Sequence, residues 1–191
     1  MVNEKLRRVL GLLKFFGVIS LATGWITITL SIALNPWFSF SKNALSDLGA
    51  IGVRFAYVFN TGLLVAGVFA LLYAFFLLSS YDGRLAALAS SLFLFSAVHL
   101  VLIALFPEGT YPHLFVSYEF FVSSGVAVLV FGSAFLAQRK TRLGIFFAVL
   151  SLVGFFLAAV VPWPSISVLE VFAITLLTVW AALMLRDHLE S

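Results

Sequence analysis

Long apolar runs separated by short polar connections set the pattern of this chain. Six runs stand out: about Leu10 to Leu34, Phe55 to Ser79, Leu85 to Phe106, Pro112 to Ala137, Leu143 to Val161 and Ile166 to Leu185. Each is near the ~20 helical residues that cross ~30 Å of hydrocarbon. Barrel strands would alternate apolar and polar positions, and these runs do not. The connections SYDGR, QRKTR and VPWPS are tight. The pattern therefore predicts an all-α, polytopic integral membrane protein: six transmembrane helices in one bundle, forming a single domain over residues 1–191.

One connection breaks the pattern. Asn35 to Arg54, NPWFSFSKNALSDLGAIGVR, is the longest polar interruption and the densest group of chemically capable side chains. Leu45, Leu48 and Ile51 recur at helical spacing, and Asn43 and Asp47 lie four apart on another face. That spacing predicts a short amphipathic helix at the membrane surface, capped by Ser39 or Ser41. Its polar face can roof a pocket in the bundle.

Composition agrees with the membrane reading. The chain is 63% hydrophobic and 10% charged, with a mean hydropathy of +1.16, whereas soluble domains are about a quarter charged. Cysteine is absent, which removes disulfides, thiolate metal sites and a cysteine nucleophile. The first run is too long for a cleaved signal and reads as a retained helix. The formal charge of +3 sits at helix ends, so it implies no nucleic-acid partner. Lys5, Arg7, Arg8, Lys14, Arg84, Arg139, Lys140, Arg142 and Arg186 fall on one side and only Lys42 and Arg54 on the other. The positive-inside rule then puts both termini in the cytoplasm of a multi-pass cell-membrane protein, with Asn35–Arg54, FPEGTYPH and VPWPS outside. Trp37 and Trp163, each beside a proline, read as headgroup-level anchors.

Small residues form two stripes. Gly17, Ser20, Gly24, Thr27 and Ser31 mark the first span, and Gly62, Ala66, Ala70 and Ala74 the second. Such stripes let helix backbones approach closely in lipid, so spans one and two are expected to pack together.

The candidate chemistry lies toward the outer ends of the spans. Asn60, His99, Glu119 and Glu170, from four different spans, lie roughly 8–12 Å inside the outer boundary at 1.5 Å per residue. Polar groups at that depth are costly, and their coincidence points to a pocket shared by the four helices. Asn43, Ser46, Asp47, Glu108 and His113 would sit above it. Each also has a structural reading. Glu119 and Glu170 can be hydrogen-bonded between helices, His99 can be a satisfied core histidine, and Thr110 can cap the fourth span above His113. Zinc would accept two imidazoles and one or two carboxylates, but no HExxH or His-x-x-x-His spacing is present. Haem ligation would fall to His99 and His113. No metal or other cofactor is assigned from the sequence.

NALSDLGA at Asn43 to Ala50, FNTG at Phe59 to Gly62, and FPEG followed by His113 resemble a family of uncharacterised prokaryotic membrane proteins, domain of unknown function 998. The resemblance implies about six helices and marks Ser46, Asp47, Gly49, Asn60, Pro107 and His113 as pattern positions. His99, Glu119 and Glu170 fall outside it. The leading functional expectation is an outward polar pocket that binds or handles a lipid headgroup or small polar ligand. An intramembrane acid–base or metal-assisted hydrolase is the alternative, followed by a transporter. Membrane lipids are the expected partners, with a second copy of the chain as a further candidate.

The topology is directly testable because the chain has no cysteine of its own. A cysteine placed at Thr110 is expected to react with an impermeant thiol reagent applied outside intact cells, and one at Thr141 only after lysis. The reverse labelling would invert the bundle.

Overall fold

A computed structural model describes residues 11–190. Six helices follow one another: α1 (Phe16–Leu34, entered through a 3-10 turn at Leu13–Phe15), α2 (Ala56–Ser80), α3 (Arg84–Leu105), α4 (His113–Ala137), α5 (Thr141–Val160) and α6 (Ile166–Glu190). All six are long and apolar enough to cross a membrane, and the described residues contain no strand. The protein is a six-helix, multi-pass membrane protein. Lys5, Arg7, Arg8 and the expected start of the first span at Leu10 lie outside the described residues.

Helix bounds depart from the apolar pattern mainly at the end of α6, which continues to Glu190 rather than stopping near Leu185. Charge pairing carries it through. Arg186 bonds Glu190 one turn on at 2.7 Å, and Asp187 is held by Lys140 at 2.6 and 2.7 Å. The Tyr81 hydroxyl donates to the same Asp187 carboxylate at 3.2 Å. Burial and that carboxylate push the Tyr81 phenol far above its ordinary range, so it stays a neutral donor. This cluster fastens the α2–α3 turn, the α4–α5 turn and the end of α6 into one layer, the turn end of the bundle. Arg139 takes a left-handed backbone (φ 62) there, and Lys140 N–H and Arg139 N–H return to Phe135 and Leu136 carbonyls to close α4.

Consecutive helices from α1 to α5 pack extensively on one another, and α6 lies against the assembled group. Small residues set the closest approaches. A Cβ at Gly62 would fall on the Thr27 side chain of α1, and one at Gly132 would lie 2.8 Å from Ala148 N and 2.9 Å from Gly144 O of α5. Ser20 Oγ donates to Ala66 O at 2.7 Å, tying α1 to α2. Both predicted stripes are thus contact faces, except that Gly24 meets nothing within 4 Å.

The apolar interior has two parts. The larger, toward the turn end, surrounds Trp180 of α6, which stands 6.2 Å from Tyr73, 5.1 Å from Phe93 and 5.7 Å from Phe131 between ring centroids. The smaller joins Ile28 and Phe59 to Leu45 and Leu48 of the polar connection, at the loop end.

Gly132 is the sharpest test of this packing, because its neighbours are backbone atoms that cannot swing aside. Gly132→Val is expected to cost about 1–3 kcal/mol, the usual range for overpacking. Gly11→Ala, with open space around it, should leave thermal unfolding in detergent unchanged. Equal melting temperatures for the two variants would reject the close α4–α5 contact.

Candidate functional site

The connection from Asn35 to Arg54 is built from local bonds first. Asn35 is buried; its amide donates to Ser31 O at 2.9 Å and its side-chain oxygen accepts Trp37 Nε1 at 3.0 Å. Asn43 Oδ1 accepts the Ser39 N–H at 2.9 Å, while its amide donates to Asp47 Oδ2 at 2.9 Å. The same Asp47 oxygen takes the Ala44 N–H at 3.0 Å. The helix that results is a 3-10 turn, Leu45–Gly49, shorter than the expected amphipathic helix. Neither Ser39 nor Ser41 caps it; their hydroxyls contact each other at 3.0 Å, and Asp47 reaches back to organise the entry instead. Leu45 and Leu48 are buried as the pattern predicted, but Ile51 is 65% exposed because the chain has already left the turn.

Side chains of two spans and of the loops before α4 and α6 then hold this segment. Glu170 of α6 accepts the Leu45 N–H at 2.6 Å. Asn60 of α2 donates to Gly49 O at 2.9 Å, and a Cβ at Gly49 would fall on the Asn60 side chain. Glu108, between α3 and α4, meets Ser46 Oγ at 3.4 Å and His113 Nε2 at 3.0 Å, and its carbonyl accepts the Ile51 N–H at 3.0 Å. At the start of α6, Ser165 and Ser167 hydroxyls donate to Phe40 O, and Ser167 N–H donates to Asn43 O at 3.1 Å. Exposed helix-end N–H groups need such partners.

His113 is at the first position of α4 and buried. Its Nδ1 faces Phe106 O at 2.8 Å. A carbonyl can only accept, so Nδ1 carries a proton. The contact between Nε2 and Glu108 then requires a second proton, on the ring or on the carboxyl. Thr110 does not cap α4; its hydroxyl donates to Pro107 O at 2.8 Å within the preceding turn.

Beneath the 3-10 turn lies a small, partly open cavity of about 80 Å³ bordered by α1, α2, α3, α4 and α6. Its walls are apolar, among them Ile28, Phe59, Leu63, Leu100, Phe120 and Ile174, and Gly24 opens onto it from α1. Polar side chains appear as Ser46, Ser117 and Glu170 toward the loop end and as Ser20 on α1. The polar pocket expected from the sequence is in fact an apolar chamber with a polar rim.

The expected site residues divide accordingly. Ser46 and Glu170 reach the cavity. Asn43, Asp47, Asn60, Glu108 and His113 are engaged in the bonds that hold the polar segment. The structure does not bring His99 there: its Nδ1 bonds Phe95 O of its own helix at 2.9 Å, and its ring lies 4.3 Å from Phe95 and 6.2 Å from Phe115. Glu119 is not brought there either. Ser117, Phe120 and Phe121 face the cavity, and Glu119 is about 200° round the helix from Ser117 at ~100° per residue. Depth along a helix does not specify facing. Among the described residues no group of three or more His, Asp and Glu side chains is placed to hold a metal ion.

Sequence reading missed Ser117, which lines the cavity and whose hydroxyl lies 3.3 Å from His113 Nε2. The signal was present as the His113–Ser117 spacing of four. It also missed the open recess of about 430 Å³ at the turn end, where Lys140, Asp187 and His188 gather beside Tyr81.

Asp47 is testable on its own. Asp47→Ala removes the acceptor of two N–H donors and is expected to cost about 1–2 kcal/mol, as for lost caps. Asp47→Asn keeps an oxygen and should cost less. Denaturation of the two variants in detergent compares them; equal losses would mean that charge, not the acceptor, matters.

No curated protein and no solved structure is significantly similar to this chain. The family described as a protein of unknown function, DUF998, matches residues 18–187, which takes in all six helices except the first residues of α1 and the last of α6. The chain, with its six membrane-spanning helices and the polar segment pinned at one end, belongs to the DUF998 family.

Proposed function

We propose that the protein binds a single-chain amphiphile of the membrane. The polar group rests against Glu170, Ser46 and Ser117, and the first few methylenes of the tail fill the small cavity beneath the Leu45–Gly49 turn, with the rest of the tail leaving through its open side. The observation that carries this reading is the cavity itself, which is apolar along its walls and polar at its rim. Ligand sites are commonly apolar chambers with a few placed polar groups that fix orientation. With the basic residues inside, the rim stands at the level of the outer headgroups. The 3-10 turn closes the chamber from above through Leu45 and Ser46.

Hydrolysis has one supporting contact, Ser117 Oγ to His113 Nε2 at 3.3 Å. The same nitrogen faces Glu108 at 3.0 Å. Wherever the shared proton sits, Nε2 is engaged with Glu108, so it is not free to act as a base toward Ser117. Binding is the better reading of this geometry.

Gly24 provides the test. Its Cβ position is open and faces the cavity, so Gly24→Leu should fill the chamber without disturbing a packed neighbour. Replacing glycine in a helix interior with a good helix former is worth up to about 1 kcal/mol, so thermal stability is expected to hold or rise. Native mass spectrometry of protein purified in mild detergent should show bound lipid on the wild type and little on Gly24→Leu. Undiminished occupancy in the variant would remove the cavity as the binding seat.

A further inference from the structure

The rim has a chemistry that selects among amphiphiles. Among the described residues, Glu170 is the single ionisable side chain lining the cavity, and no basic residue joins it. Its Oε2 is taken by the Leu45 N–H, which leaves Oε1. Ser46 and Ser117 hydroxyls line the same chamber and make only long contacts of 3.4 and 3.3 Å to Glu108 and His113. Ser20 is already committed to Ala66 O. The groups left for a ligand are therefore one carboxyl oxygen and two hydroxyls.

The surroundings add further carboxyl groups. Three carboxyl groups converge on residues 44 to 46: Asp47 on the Ala44 N–H, Glu170 on the Leu45 N–H and Glu108 on Ser46. One basic side chain, His113, answers them, through Glu108. Lys42 and Arg54 belong to the same segment but pair with none of the three. A phosphate or carboxylate head would bring further acceptors into a site already rich in carboxyl groups, at a cost that rises as water is excluded. An ammonium has three N–H donors and no acceptor, and brings the missing positive charge.

We infer that the cavity selects amphiphiles headed by a primary ammonium group, which Glu170 pairs and the hydroxyls of Ser46 and Ser117 complete. This rests on the proposed binding of a single-chain amphiphile and names its class. The ammonium can come from a long-chain amine or from the headgroup of an aminolipid; both present the same donors to the rim.

Two ligand series test the inference on the full chain in a neutral detergent at neutral pH, read by native mass spectrometry and thermal shift. In the first, myristylamine is compared with myristyl alcohol and myristate. In the second, lysophosphatidylethanolamine is compared with lysophosphatidylglycerol. Charge-assisted hydrogen bonds are roughly twice as strong as neutral ones, so myristylamine is expected to bind about tenfold more tightly than the alcohol, with myristate weakest. Preference in the first series alone assigns a free amine, and preference in the second assigns an aminolipid headgroup. Glu170→Gln keeps an oxygen for the Leu45 N–H and should erase the amine-over-alcohol preference while the alcohol still binds. Myristate or lysophosphatidylglycerol binding as tightly as its amine counterpart, with Gly24→Leu blocking both, would overturn the ammonium assignment and leave the binding site standing. Equal binding to wild type and Gly24→Leu would overturn the site and the assignment together.

Discussion

A polar connection of twenty residues closing a bundle of apolar helices must find partners for its own backbone. Unpaired N–H and C=O groups near hydrocarbon cost several kcal/mol each. The solution is a set of side chains aimed at backbone atoms: Glu170 at Leu45 N–H, Asn60 at Gly49 O, Ser165 and Ser167 at Phe40 O. Other bonds run from backbone to backbone, Ile51 N–H to Glu108 O and Ser167 N–H to Asn43 O. The segment is therefore fixed simultaneously to α2, α6 and the α3–α4 loop. Leu45 and Leu48 can then be pressed into the bundle, where they are 3% and 0% exposed.

That constraint accounts for the residues singled out as pattern positions in the sequence. Ser46, Asp47, Gly49, Asn60, Pro107 and His113 all belong to the fastening of the polar segment. Asp47 organises the entry to the 3-10 turn, Gly49 admits Asn60, Pro107 accepts the Thr110 N–H and hydroxyl in its turn, and His113 meets the carboxyl beside Ser46. These side chains act mainly on their own chain. The space proposed for a ligand is what the segment covers beneath itself, and its chemistry comes from the side chains that remain on the rim.

The opposite end of the bundle solves a related problem with charge. Two tight turns and the last turn of α6 meet through Lys140, Asp187 and Tyr81. Asp187 is only 11% exposed, and a carboxylate so enclosed requires the two donors it has. Between the two fastened ends, the aromatic cluster around Trp180 packs the interior, with Tyr73, Phe131 and Trp180 each at most 1% exposed. The filled half and the hollow half follow the side chains of α6: Trp180, Ala181 and Met184 occupy one, while Glu170, Ile174 and Leu177 border the other.

The sequence alone determined the class of protein, the six spans to within a few residues and the stripes on which helices touch. Apolar length and small-residue spacing are local properties, and lipid makes them decisive because every spanning segment must satisfy its own backbone. It also located the polar segment and singled out the residues that shape it. Tertiary structure decided which polar residues share a space. His99 and Glu119 lie at the same depth as Glu170, but the rotation of their helices turns one toward Phe95 and its own backbone and the other away from the cavity. Ser117 and Gly24 enter the site for the same reason in reverse, since a hydroxyl and a missing Cβ carry no mark in sequence until neighbouring helices leave room beside them. Rotation about a helix axis in a uniformly apolar span leaves little trace in the hydrophobic pattern, so only packing against neighbours sets it.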